Sequence, residues 1–116
     1  MKEVFELDVY NLAEKLADKI WDNFDGWPKK TQSTIGYQII RSADSIGANI
    51  AEGFGRFTPK DRKVFYRYAR ELFEETKCWL RKLIRRNLIT AESADNYRNI
   101  IDELGPKLNA FINATE

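Results

Sequence analysis

Lys60, Lys63, Arg67, Arg70, Lys77 and Arg81 recur at intervals of three, four and seven residues, spacings that set them along one side of a helix. Such a row can neutralise successive phosphates of a nucleic acid, the guanidinium groups bidentately and the ammonium groups as point charges. Arg56 stands just ahead of the row and extends it. Glu71, Glu74 and Glu75 are interleaved with it, and a carboxylate cluster is the raw material of acid/base or metal chemistry. Arg67 with Glu71 and Arg70 with Glu74 are i,i+4 pairs, however, so salt bridging along the helix face is the expected role of these acids. The chain has no histidine, which excludes His-dependent triads, the usual zinc sites and the Glu-x-x-His pair of di-iron bundles. No enzyme activity, metal or cofactor is expected. Cys78 is alone, so it can form no internal disulfide, and it reads as a small core or boundary residue.

Charge is unevenly distributed. Residues 53–90 carry eleven Lys and Arg against four acids, a net +7, which leaves −6 for the rest of a chain whose total is +1. A basic face backed by an acidic one suits an anionic partner or self-association. With 43% hydrophobic and 32% charged residues in 116, the chain is too apolar for disorder and sized for one domain, residues 1–116. It has no apolar run of the ~18 residues that a membrane span needs, and no signal-peptide pattern at its start. A cytoplasmic protein with no membrane partner is expected.

The elements that must hold the row are four amphipathic helices, at about 8–24, 29–53, 59–86 and 91–113. Asp8 reads as the first N-cap, and Asp25-Gly26-Trp27-Pro28 ends helix one, with Gly26 as C-cap and Trp27 as a plug over the bundle end. Thr58-Pro59 starts helix three, with Thr as cap and Pro in the first turn, and Thr90 caps helix four. Helix three has an apolar stripe of Phe65, Ala69, Leu72, Thr76, Trp79 and Leu83, opposite the cationic row, while Tyr66, Phe73 and Leu80 run along its margin and Val64 and Tyr68 widen the other side. That arc is broader than one bundle core requires, so part of it should meet another subunit. Gly105-Pro106 should kink or break helix four, since a mid-helix proline costs ~3 kcal/mol or more. Short connections and the absence of strand signals give an all-α, up-down-up-down antiparallel four-helix bundle.

Helix two is poor in large side chains. Ile39, Ile46 and Ile50 form one seam and Ala43, Gly47 and Ala51 a second, small one where a neighbouring backbone can come close. A third stripe, Gln38, Arg41, Ser45, Asn49 and Glu52, is polar but little charged, the pattern of a partly buried hydrogen-bonded network. Arg41, Ser45, Asn49 and Glu52, with Tyr66 and Phe73, are therefore expected in a polar network or at a subunit interface.

The run Ser45-Ile46-Gly47-Ala48-Asn49-Ile50-Ala51-Glu52-Gly53, with Arg41 before it and Arg56 and Lys60-Asp61 after it, resembles the signature of the four-helix bundle proteins encoded in large-subunit (23S) rRNA intervening sequences. Phe5 and Leu7, Trp27-Pro28 and the segment from Phe65 to Ala69 extend the likeness over most of the chain. At one place the chain departs: Glu71-Leu72 follow Ala69-Arg70 where family members often carry Gly-Ser. Those proteins are distantly similar to the accessory protein of diversity-generating retroelements, a basic pentameric bundle that partners a reverse transcriptase and binds nucleic acid. The resemblance implies a ring-like homopentamer and, as partners, RNA or an RNA–DNA hybrid and a reverse transcriptase. Arg56, Lys60, Lys63, Arg67, Arg70, Lys77 and Arg81 are then the expected nucleic-acid contacts, by shape and backbone rather than base readout. The alternative is a structural or adaptor protein whose charged faces serve self-assembly and protein docking.

Overall fold

In the computed structural model, which describes residues 2–116, a short 3-10 turn (Val4–Glu6) leads into α1 (Asp8–Phe24). The amide of Glu3 donates to Glu6 Oε2 at 2.6 Å and Asn11 Nδ2 donates to the Phe5 carbonyl at 3.0 Å, which ties the turn to the helix. Leu7, not Asp8, is the N-cap; Asp8 is the first helical residue and makes no capping bond. Its carboxylate still lies in the first turn, where the helix dipole favours negative charge.

α1 stops where Gly26 and Trp27 donate back to the Asn23 and Phe24 carbonyls, each at 3.1 Å. Gly26 is not in the left-handed conformation expected of a C-cap glycine. Trp27 is buried edge-on to Phe24, with ring centroids 6.0 Å apart, and so plugs this end of the bundle. α2 covers residues 29–54 without interruption but is not a uniform α-helix: Lys29–Thr31 is α-helical, Gln32–Gly36 forms a π turn and Tyr37–Phe54 is α-helical again. The Phe24 ring of α1 lies close against the π turn: a Cβ on Gly36 would lie 2.9 Å from Phe24 Cε2 and 3.0 Å from the Thr31 carbonyl. The hydroxyl of Thr34 donates to the Lys30 carbonyl at 2.7 Å.

α3 (Pro59–Arg85) starts as expected, with Thr58 Oγ1 accepting from the Asp61 amide at 3.1 Å. It ends in a Schellman motif: Asn87 adopts φ 60°, Leu88 N donates to Leu83 O at 2.9 Å and Asn87 N to Ile84 O at 3.0 Å. α4 (Ala91–Ala114) is capped by Thr90 through the Ser93 amide at 3.1 Å and runs unbroken through Pro106. The expected break is absent. Both Pro106 and Asp102, whose carbonyl would have accepted the missing N–H, are exposed, so water can replace the lost bond.

The four helices pack in sequence, with α4 also lying against α1, around a core that includes Leu16, Ile20, Ile39, Ile46, Ile50, Leu83, Leu104 and Leu108. No described helix is long and apolar enough to cross a membrane. The inward residues of α3 are Tyr66, Ala69, Phe73, Thr76, Leu80 and Leu83, alternating steps of three and four. Phe65, Leu72 and Trp79, expected at the centre, are only half-buried, and Cys78 is exposed rather than in the core. Relative to the expected stripe the core face is turned by about 50° at 100° per residue. One polar pair crosses the core: Thr76 Oγ1 lies 2.9 Å from Ser42 Oγ, whose own hydroxyl donates to the Ile39 carbonyl at 3.2 Å.

Two glycines of α2 lie against neighbouring helices, and only Gly53 limits how closely its neighbour approaches. A methyl on Gly47 would overlap the carboxylate of Glu14 on α1, the movable end of a side chain; one on Gly53 would lie 2.6 Å from Tyr66 Cε1 and 3.0 Å from the Arg62 carbonyl. Gly53, expected as the last residue of helix two, is helical one residue before the end of α2 and is part of the α2–α3 contact. Gly53→Ala should lower the unfolding free energy by about 1–3 kcal/mol, because neither the buried ring nor the backbone can yield. Gly47→Ala should stay within ~1 kcal/mol of the parent, since the alanine gains helix propensity while Glu14 swings aside. Urea denaturation of the two variants checks that order; a Gly53→Ala protein as stable as the parent would contradict it.

Candidate nucleic-acid interface

The Thr58-Pro59 start and the inward residues of α3 together fix where the cations go. By helical geometry the row lies about 120° from the core centre, on the flank toward α4, and not directly opposite the core. Lys60, Arg67, Arg70 and Arg81 are exposed, and Lys63 and Lys77 half-buried.

Among the described residues, five of the seven expected contacts, Lys60, Lys63, Arg67, Arg70 and Arg81, form no ion pair within the chain. Arg56 pairs with Glu52 at 2.7 Å and lies over the Phe65 ring, 4.5 Å from its centroid. Lys77 pairs with Glu74 at 2.6 Å and lies 4.9 Å from the centre of the Phe73 ring. The expected Arg67–Glu71 and Arg70–Glu74 bridges are therefore not made: Glu74 turns to Lys77, one helical turn on, and leaves Arg70 unpaired. Pairs this exposed contribute little to stability, so both engaged cations can exchange a carboxylate for a phosphate at small cost.

Arg70 and Lys77 line a groove of about 770 Å³ between α3 and α4, together with Phe73, Gly105 and Pro106. Gly105 lies close on the Phe73 ring in the groove wall, where a Cβ would come within 3.3 Å of the ring. Beyond it, Lys77, Arg81 and Arg98 border a smaller cleft of about 150 Å³ with Leu80 and Tyr97. Arg70, Lys77 and Arg81 thus border the seam between the two helices, while Lys60, Lys63 and Arg67 continue the row on the N-terminal half of α3, outside both clefts.

The polar stripe of α2 is arranged differently from the expected network. Asn49 Nδ2 donates to the Ser45 carbonyl of its own helix at 2.8 Å and Glu52 holds Arg56, while Gln38 and Arg41 are exposed. The side-chain hydrogen bond that joins α2 to α3 is that of Ser42 and Thr76, one position over from the stripe. Tyr66 and Phe73, expected at a polar network or subunit interface, are 2% and 3% exposed in the core of the single chain. Tyr66 packs against Phe111, with centroids 4.6 Å apart. Phe65, Tyr68 and Leu72 take the outward edge instead. Sequence periodicity could have separated these sets only with knowledge of which neighbour α3 meets first.

The acidic face is built on α1 and α2. Burial raises the Glu14 carboxyl above its usual range, and Asp18 and Asp44 raise it further. Asp44 is likewise raised by burial and then by Asp18, and the Tyr10 hydroxyl by burial and then by Glu14 and Asp18. These acids repel one another, but among the described residues no group of three or more ligating side chains is arranged to hold a metal ion. A carboxyl raised in the folded state penalises folding at neutral pH, and the penalty fades as pH falls through the raised value. Asp44→Asn should therefore raise the melting temperature at neutral pH, with a gain that shrinks toward pH 3.8, the ordinary value for this carboxyl. Thermal melts across that range check it; a gain independent of pH would contradict the repulsion.

The family model described as 23S rRNA-intervening sequence protein matches residues 5–110. A crystal structure of a protein of unknown function from the S23 ribosomal protein family, from Bacteroides thetaiotaomicron VPI-5482, is similar to this chain with a TM-score of 0.81 and 28% identity. The match covers 90% of this chain and 97% of that one. No curated protein matches the chain.

Proposed function

We propose that this chain, which belongs to the 23S rRNA-intervening sequence protein family, is a non-enzymatic, homo-oligomeric bundle that binds structured nucleic acid through the cationic flank of α3. The observation that carries this reading is the unpaired state of Lys60, Lys63, Arg67, Arg70 and Arg81 on the flank of a helix whose inward face is locked in the core. Cations held in place and not neutralised within the chain are available to phosphates, and displaced counterions supply the driving force. RNA or an RNA–DNA hybrid is the proposed ligand, read through shape and backbone.

Oligomer formation is part of the same proposal. Val64 and Tyr68 are 38% and 47% exposed beside half-buried Phe65 and Leu72, an apolar strip along α3 that a neighbouring copy would cover. We take the assembly to be a ring of five, following the resemblance to the retroelement accessory protein, with the protein in the cytoplasm and a reverse transcriptase as its protein partner. In a ring, weak contacts from each subunit combine into useful avidity.

The competing reading is an adaptor whose surfaces serve only protein docking; it is favoured by Phe57, 98% exposed on the loop between α2 and α3. A salt titration of binding to an RNA hairpin separates the two. If all five unpaired cations engage, log K should fall with log salt at a slope of about −3.5 to −4.5 per bound chain. Lys63→Glu/Arg67→Glu/Arg70→Glu should cost at least about tenfold in affinity and flatten the slope by about 2. Sedimentation should show Tyr68→Glu dissociating the oligomer with helix content retained. No binding even at low salt, or a triple variant that binds as the parent does, would leave the adaptor reading standing.

A further inference from the structure

A second groove, of about 500 Å³, opens between the start of α2 and the end of α3, away from the α4 seam. Its α2 side includes Ser33 and Thr34 of the π turn, a departure from helical regularity that is frequent at functional sites. Tyr37 and Trp79 line it with Lys82 and Arg86, and no carboxylate is among its lining residues. In this it differs from the α3–α4 groove, which Glu71, Glu74 and Asp102 also line.

Two details point to a flat, hydrogen-bonding, anionic occupant. Tyr37 is 62% exposed although it stacks on Phe24, with centroids 5.6 Å apart and planes 29° from parallel. One face of the phenol ring is therefore held by the protein while the ring as a whole stays open to solvent, as a stacking platform requires. The indole Nε1 of Trp79 is buried and has no acceptor within the chain. An unsatisfied buried donor is costly, and a turn of the indole toward the groove would let an acceptor on the edge of a base satisfy it.

We propose that this groove holds one unpaired nucleotide of an RNA, its base stacked on Tyr37 as the third ring of the Phe24–Tyr37 stack and its phosphate held by Lys82 and Arg86. Aromatic platforms flanked by cations are how proteins retain unpaired bases without reading sequence. The inference rests on the nucleic-acid reading above and narrows it: paired stems lie along the cationic row, and a bulged or single-stranded base enters this groove.

The test uses two RNA hairpins that differ only in a single bulged 2-aminopurine, with binding followed by anisotropy and stacking by 2-aminopurine fluorescence. The parent protein should bind the bulged hairpin about tenfold more tightly and quench its fluorescence. Tyr37→Ala should abolish both effects and leave affinity for the paired hairpin unchanged, Tyr37→Phe should keep both, and Lys82→Glu should weaken the bulged complex selectively. Should Tyr37→Ala fail to fold, the quench with the parent and the Lys82→Glu result decide the matter. Binding of both hairpins with equal affinity and no quench removes this inference and spares the broader reading; binding of neither at low salt removes both. A Tyr37→Ala protein that loses its oligomer but keeps the bulge preference would show the groove to be covered by a second copy, and overturns the assignment.

Discussion

The rotational setting of α3 against α2 is the constraint on which the rest of the molecule depends. It is fixed at one end by the Tyr66 ring pressed onto Gly53 and in the middle by the buried Thr76–Ser42 contact. With Tyr66, Phe73 and Leu80 turned inward, Arg67, Arg70 and Arg81 follow onto the exposed flank, and Phe65, Leu72 and Trp79 are left on the outer edge. A turn of α3 by one residue would exchange those two apolar sets and move the cations away from the α4 seam. The specificity of the surface is thus decided inside the core, where a methyl at Gly53 has no room.

Much of the architecture could be read in the chain because its signals are local. Pro28, Thr58-Pro59 and Thr90 mark helix starts by their own stereochemistry, and the bounds of α1 and α3 follow within a residue or so. Trp27 as a plug was also legible, whereas at Gly47 the nearest neighbour is the Glu14 side chain and not the expected backbone. What escaped depends on partners distant in sequence. The π turn lies where the Phe24 ring of another helix comes close on Gly36. The rotation of α3 escaped because its apolar arc runs from Phe65 through Tyr66 and can be divided in two ways. Pro106 is tolerated because the bond it removes faces solvent, which a periodicity argument does not see.

The candidate site was legible as a set and less so as a geometry. The cationic row was readable because charge at three- and four-residue spacing survives any small rotation of the helix. Its ion pairs were not, because Glu74 had two cations within reach and chose Lys77. The polar stripe of α2 illustrates the same limit: it allowed Asn49 to bond to another helix or to its own, and Asn49 bonds to the Ser45 carbonyl of its own. Tyr37 and Trp79 drew no attention as a pair because they lie on different helices, brought to one groove only by the packing of α2 on α3.

In the functional reading offered here, the bundle is a rigid holder of fixed charge, with acids on α1 and α2 set against cations on α3 so that an anionic ligand is oriented as well as attracted. Lysine footprinting by acetylation and mass spectrometry, with and without bound RNA, tests that claim most directly. RNA should protect Lys60 and Lys63 and leave Lys15 and Lys107 as reactive as in the free protein. Protection of Lys15 or Lys107 with Lys60 and Lys63 still fully reactive would contradict it.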